Sequence, residues 1–267
     1  MIKRKILTKE VTVTGPNFWG FNSSITFKPA ERPGWFLRTK TNGDVPVDFR
    51  IAVSKKGRLE LSSGGTELAV IEHIIALKML IGLDQVILIV HNKWPPYLGG
   101  ASGYIKQLKG SWVQTDEDFP FIKPNDESYV NTFNSIATEV SIKKSEGFLL
   151  HLHSKWKDLP RINFKVTLED LGLIQEFIEA KPQGFPHWRK HFANLASFFG
   201  WPNIEYVSWK NKNTSVYETA RKWWAHAGQD AFGELGLCDY KAIPLVNCFR
   251  YNAGHKETLE AVKKAFS

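Results

Sequence analysis

Leu68-Ala-Val-Ile-Glu72-His73-Ile-Ile-Ala-Leu-Lys-Met-Leu-Ile81, followed by Gly82 and then by Gln85-Val-Ile-Leu-Ile-Val90, decides the fold class. The first run is dense in apolar side chains and rich in helix formers. Gly82 is placed to end it, because glycine takes the left-handed backbone that closes a helix at little cost. The second run is short and rich in β-branched residues, the pattern of a buried strand. Upstream, residues 11–14, 24–28 and 35–38 read as strands between Gly, Pro and Asn turns. Downstream, Trp94-Pro-Pro-Tyr-Leu-Gly-Gly100 breaks the pattern, and 103–109 reads as a second, short helix.

The second half repeats this logic. Strands are expected over 130–142 and 147–153, with helices near 167–180 and 186–199. A strand over 204–209, a long amphipathic helix over 216–235, a strand over 242–249 and a last helix over 256–266 follow. The polar, Pro-containing stretch 114–128 is the expected linker between a first α+β domain (1–113) and a second (129–267). Two successive strand-then-helix blocks predict an α+β protein of packed layers. No tight sequence repeat is visible.

Composition bounds the function. The 267 residues are 43% hydrophobic and 23% charged, as in ordinary globular proteins. No apolar run reaches the ~18 residues of a transmembrane helix, and no signal-peptide core follows the basic start, so a cytoplasmic protein is expected. A net charge of +8 favours an anionic small-molecule partner. Nucleic acid is not expected, since no RNP-like motif, zinc-finger spacing or basic helix is present. Cys238 and Cys248 form no CxxC and read as free thiols.

Three stretches carry candidate chemistry. His226-Ala-Gly-Gln-Asp230-Ala-Phe-Gly-Glu234-Leu235 places an imidazole and a carboxylate four residues apart. On a helix both meet one face, where they can share a metal ion. Glu234 adds a carboxylate one turn on, suited to supporting a ligand or contacting substrate. Glu72-His73 lies in an apolar helix, where burial would be costly without a partner or a metal; a solvent-facing edge pair is the alternative. Asn252-Ala-Gly254-His255 opens a helix after a strand and displays a histidine suited to proton donation or an oxyanion contact; a polar capping loop is the alternative. His187 and His191 are also four apart but lack a nearby carboxylate. His151 and His153 share one strand face, and His91 reads as a strand-end residue.

In order and spacing, these pieces resemble the UDP-3-O-acyl-N-acetylglucosamine deacetylase family, zinc amidases of lipid A synthesis. The resemblance spans nearly the whole chain. It runs from Met1-Ile-Lys-Arg4 and Thr14-Gly15 through Thr26-Phe-Lys-Pro-Ala30, Arg38-Thr39 and Val47-Asp-Phe49 to Val70-Ile-Glu72-His73. It continues through Phe199-Gly200, Ile204-Glu-Tyr206, the stretch 226–235 and Gly254-His255. It implies a fold of two similar α+β domains, each a sheet with two helices, forming a two-layer sandwich with the active site between them. It also implies that His73, His226 and Asp230 hold zinc, with one position left for water. Glu72 would be the general base for the zinc-activated water, His255 the protonated oxyanion partner, and Glu234 the carboxylate supporting it. Phe198, Phe199 and Gly200 fall at substrate-contacting positions. Iron(II) suits the same donor set as Zn2+.

The chain also departs from the family. Ala227 stands for a substrate-contacting Lys, and Phe198 for a Thr. Phe18-Trp19-Gly20 stands for His-Thr-Gly, and Gly99-Gly-Ala-Ser102 for an Asp-Gly-Ser turn. Only Ser208-Trp-Lys-Asn-Lys-Asn-Thr-Ser-Val216 stands where the family inserts a βαβ passage for the substrate's acyl chain. At about 0.8 kcal/mol per buried methylene, so short a link forfeits much of the binding of a long acyl chain. The expected function is therefore a zinc-dependent N-deacetylase of an amino sugar, free or UDP-linked, without selectivity for a long 3-O-acyl chain. A divergent lipid A enzyme and a non-catalytic sugar- or nucleotide-binding relative are the alternatives.

Overall fold

The computed structural model describes residues 2–55, 57–134, 136–154, 160–181 and 215–267. The chain is an α+β protein. Its first half carries β1 (Lys3–Leu7), β2 (Val11–Pro16), β3 (Asn22–Pro29), β4 (Trp35–Arg38), β5 (Asp44–Pro46), β6 (Ala52–Lys55), β7 (Arg58–Ser63) and β8 (Thr66–Ala69). Helix α1 (Glu72–Ile81), β9 (Leu83–Asp84), β10 (Val86–Val90) and α2 (Ala101–Leu108) follow. Then come β11 (Trp112–Asp118), β12 (Phe121–Ile122), β13 (Ser128–Asn134), β14 (Ile136–Lys144), β15 (Leu149–Ser154), β16 (Ile162–Thr167) and α3 (Leu171–Glu179). The described chain ends with α4 (Val216–Leu235), a 3-10 turn (Gly236–Cys238), β17 (Ile243–Pro244), β18 (Val246–Tyr251) and α5 (His255–Phe266).

Two five-stranded sheets share one plan. The first has the order β2-β3-β10-β4-β5 and the second β13-β14-β18-β15-β16. Each consists of two hairpins with a later strand inserted between them. That strand runs antiparallel to one neighbour, β3 or β14, and parallel to the other, β4 or β15. In each half a helix precedes the inserted strand and another follows it. The duplication that the sequence does not reveal is therefore present in the strand order.

Several elements differ from the sequence expectation, each for a local reason. Helix α1 begins at Glu72 rather than near 68, because Leu68 and Ala69 pair with β7 as part of β8. Val70 then takes a left-handed backbone (φ 55°), which separates strand from helix. That conformation is strained for a β-branched residue. At the other end Gly82 (φ 71°) closes α1 by donating its N–H to Leu77 O. A strand at 162–167 was not expected; Ile162, Phe164 and Val166 are its buried alternation. Helix α3 starts later than 167, where Asp170 caps it by accepting from Leu173 N at 3.1 Å. The stretch 114–128, expected as a linker, is ordered by strand pairing: β11 pairs with β1, and β12 with β17. The expected elements at 186–199 and 204–209 lie outside the described residues.

The two halves meet where α1 packs on α4. Residues 72–80 are all buried, so α1 is enclosed on every side, as an all-round apolar helix must be. Contact is closest at Gly233, where a Cβ would sit 2.1 Å from Glu72 O. Only glycine lets the backbones approach so far. Lys78, buried in the same helix, donates from Nζ to Gly236 O at 2.9 Å and to Asp239 O. It thereby satisfies one carbonyl at the C-cap of α4 and one just past the 3-10 turn that follows. Burial of Lys78 pushes its pKa down.

Candidate metal centre

Packing of α1 on α4 brings His73, His226 and Asp230 together. One ligating atom from each lies within 4.8 Å of the others. His73 Nε2 is 3.2 Å and His226 Nε2 3.7 Å from Asp230 Oδ1. The two imidazole rings are 4.8 Å apart between centroids and inclined at 67°. His73 and His226 are buried, and the Asp230 side chain is 13% exposed.

These atoms are short of partners. His73 Nε2 and Asp230 Oδ1 are both buried without a hydrogen bond, and so is Nδ1, the other ring nitrogen of His226. Buried polar atoms are rarely left so, because each costs about 1–3 kcal/mol. A cation resolves the cost for His73 Nε2 and Asp230 Oδ1 at once. The donor set of two imidazoles and a carboxylate suits Zn2+ or Fe2+. A tetrahedron with bonds of about 2.0–2.1 Å has edges of about 3.3 Å, and the two measured separations fall on either side of that value. The residues present therefore fit a divalent ion.

The electrostatics agree. Burial pushes the His226 pKa down to about 4, overriding the attraction of Asp230, so its imidazole is neutral near pH 7 and free to ligate. Burial works the other way on Asp230, but the neighbouring histidines outweigh it and hold the carboxylate well below its usual range.

Glu72, the first residue of α1, is buried with Oε2 unpartnered. The solvent-facing alternative for Glu72-His73 does not hold: both side chains point into the protein. Burial pushes the Glu72 pKa up, against the pull of His255 and His73.

His255 begins α5. It is less displayed than the sequence implied, with 16% of its side chain exposed. Its Nδ1 lies 2.5 Å from Glu234 Oε1. Burial alone would depress its pKa, but the hydrogen bond with Glu234 and the charges of Glu72, Glu234 and Asp230 raise it to about 10. The turn before it is fixed by Asn252 in the left-handed region (φ 47°) and by Gly254 N donating to Glu257 Oε2 at 3.1 Å.

Arg250 is the residue that sequence reasoning missed. It is buried on β18, with Nη1 3.1 Å from Glu234 Oε2. Its guanidinium also donates to Ala253 O (Nε 3.1 Å, Nη2 2.7 Å) and to Ala227 O (Nη1 3.2 Å). It thus ties the carboxylate supporting His255 to both α4 and the turn before α5. The expected strand 242–249 stopped one residue short of it; extending the alternation Val246, Cys248, Arg250 places an arginine on the buried side.

The remaining candidates do not join the centre. His91 is exposed and pairs with Thr26 Oγ1 at 2.9 Å. His151 and His153 lie on β15, paired opposite Lys165 and Asn163. Cys238 and Cys248 are buried free thiols, and burial raises both to about 12, so neither is a thiolate at neutral pH. Phe198, Phe199, Gly200, His187, His191 and most of the 208–216 link lie outside the described residues. No helix among the described residues is long and apolar enough to cross a membrane. Compared with protein-family models and with curated proteins, the chain matches none.

Proposed function

We propose that this chain is a metal-dependent amide hydrolase that removes the N-acetyl group of an amino sugar, free or nucleotide-linked. It is a two-domain, divergent member of the UDP-3-O-acyl-N-acetylglucosamine deacetylase family, working in the cytoplasm. The observation that supports this best is the convergence of ligating atoms from His73, His226 and Asp230, those of His73 and Asp230 buried and unpartnered, beside buried Glu72, whose Oε2 is unpartnered too.

His73, His226 and Asp230 would hold the ion. When bound, a divalent ion of this kind polarises an amide carbonyl and lowers the pKa of water. Glu72 takes the proton of the attacking water and delivers it to the amine nitrogen as the C–N bond breaks, giving acetate and the free amine. With Nδ1 of His255 engaged by Glu234, the remaining N–H of the imidazolium, on Nε2, is the donor for the developing oxyanion. Arg250 holds the other oxygen of Glu234 and so fixes the orientation of that pair. The substrate carries a short acyl group or none at the neighbouring position, a reading supported by the brevity of the 208–216 link.

Metal analysis with turnover tests this. About one zinc or iron per chain is expected, with Glu72→Gln retaining the metal and losing at least ~100-fold in kcat, the scale of general-base catalysis. Strong preference for a long-chain 3-O-acyl substrate would overturn the acyl reading. Absence of metal with tight sugar binding would replace the enzyme by a non-catalytic relative.

A further inference from the structure

We infer that Phe18, Trp19 and Trp94, with Arg58 seated among them, form the ring-binding subsite of the metal centre, taking a pyranose that carries a phosphate. This rests on the deacetylase reading and names the half of the substrate that is not hydrolysed.

The cluster is a closed set of ring contacts. Phe18 meets Trp19 at 5.2 Å, Trp94 at 6.1 Å and Tyr97 at 5.6 Å, and Trp19 meets Trp94 at 5.6 Å. The Arg58 guanidinium stands 4.6, 5.6 and 5.1 Å from the centroids of Phe18, Trp19 and Trp94. The cluster leads to the centre: Tyr97 packs on the His73 ring at 5.8 Å. Two ring-to-ring steps therefore join Phe18 to a proposed metal ligand.

Trp19 is the exposed member of the cluster, Phe18 and Trp94 being half-buried, and the backbone beneath it is held by hydrogen bonds. Trp19 is 47% exposed, but its turn is fixed by buried Asn17, whose Oδ1 accepts from Trp19 N at 2.9 Å and Phe21 N at 3.2 Å. Gly20 (φ 88°) completes the turn. The facing segment is anchored as firmly. Tyr97 N donates to Pro16 O at 2.5 Å, Tyr104 Oη to Pro96 O at 2.5 Å, and Ser23 Oγ to Trp94 O at 2.5 Å. Exposing an indole costs hydrophobic free energy, and a fixed backbone around it is how a binding surface limits the ordering entropy of association.

The chemistry of the cluster selects the ligand. Apolar C–H faces of a pyranose carry slight positive charge and suit the electron-rich face of an indole. Arg58 supplies a phosphate partner. The nearby carboxylates of Glu60 and Glu67 are both taken by Lys93, at 3.1 and 2.8 Å, and no carboxylate among the described residues pairs with Arg58. A guanidinium held on aromatic faces stays charged and weakly hydrated, ready for phosphate oxygens.

Calorimetric titration of the metal-loaded protein with N-acetylglucosamine 1-phosphate, N-acetylglucosamine and inorganic phosphate tests this, alongside deacetylation kinetics and metal content. The sugar phosphate should bind at least about ten-fold tighter than either fragment. Arg58→Gln should abolish the advantage over the free sugar. Trp19→Ala should weaken both sugars about ten-fold and raise KM, with Trp19→Phe recovering part of the loss. Tyr129→Ala, at an exposed aromatic on β13, should bind as wild type. Wild-type binding by both Trp19→Ala and Arg58→Gln would overturn the inference, as would inorganic phosphate binding as tightly as the sugar phosphate. Deacetylation with unaltered KM in the variants sinks the subsite alone. Arg58-dependent sugar-phosphate binding without turnover sinks the deacetylase reading alone.

Discussion

The two five-stranded sheets follow the same strand order, yet the helices beside them present different chemistry. In the first half α1 is enclosed on every side, and its polar pair, Glu72-His73, sits in the first turn. In the second half α4 carries His226, Asp230 and Glu234 at one-turn intervals along its middle and end. The helices that follow the inserted strands differ at the equivalent station. Both start just after a glycine, but α2 opens with Ala101 and α5 with His255. The space beside Gly100 is filled by Ala180 and Gln229, whereas Gly254 meets only Glu257. The lesson is that one chain path supplies equivalent stations twice. Packing crowds the first of them beside its glycine and leaves the second more open.

The comparison can be broken most forcefully at its buried ion pairs. Each half has an arginine on a buried carboxylate: Arg4 on Asp84 at 2.6 Å and Arg250 on Glu234 at 3.1 Å. Replacing either arginine by Met should cost about 3–5 kcal/mol in urea denaturation, because a buried charge is left alone. Only Arg250→Met should also impair turnover, and equal catalytic loss in both variants would erase the distinction between the halves.

The helix contact is the next test. Gly233→Ala drives a methyl group into the Glu72 carbonyl and should cost about 3 kcal/mol, lowering Tm by roughly 6–12 °C. Gly147→Ala, where no atom lies within 4 Å, should change Tm by no more than about 2 °C.

The His255–Glu234 pair gives a pH signature of similar or smaller size. Its folded pKa of about 10 lies above the unfolded value near ~6.5. Its contribution is therefore fully present below pH ~6.5 and is lost as pH rises toward 10, at most about 5 kcal/mol before solvent screening at the part-exposed imidazole reduces it. Denaturation midpoints should fall across that window in wild type and much less in Glu234→Gln; parallel profiles would remove the pair from the account.

The smallest effect concerns helix starts. Ser215 caps α4 by accepting from Glu218 N at 3.1 Å, whereas Ile71 gives α1 no side-chain cap. Ser215→Ala should cost about 1 kcal/mol in urea denaturation, the loss of a cap that α1 does without because it is held by burial.

Much of the centre was legible. Helical spacing paired His226 with Asp230, local setting singled out Glu72-His73, Glu234 and His255, and the resemblance supplied the roles proposed for them. Arg250 was not, because a single arginine on a strand gives no spacing signal until the strand's full length is known. Helix 216–235 was readable end to end, since its length and its Ser and Gly borders agree. The strand 112–118 was not, because an edge with most side chains exposed shows no apolar alternation. The order of strands was equally hidden: hairpins are local, but the insertion of β10 and β18 between them depends on contacts distant in sequence.

By itself, the sequence determined the residue types, the helical and strand periods, and therefore which side chains share a face. Only the tertiary structure decided that the two halves repeat one strand order and that α1 reaches α4 closely enough for His73 to meet Asp230. The physical reason is steric and non-local. The approach depends on the absent side chain of Gly233 lying over the carbonyl of Glu72, a complementarity that no local pattern records.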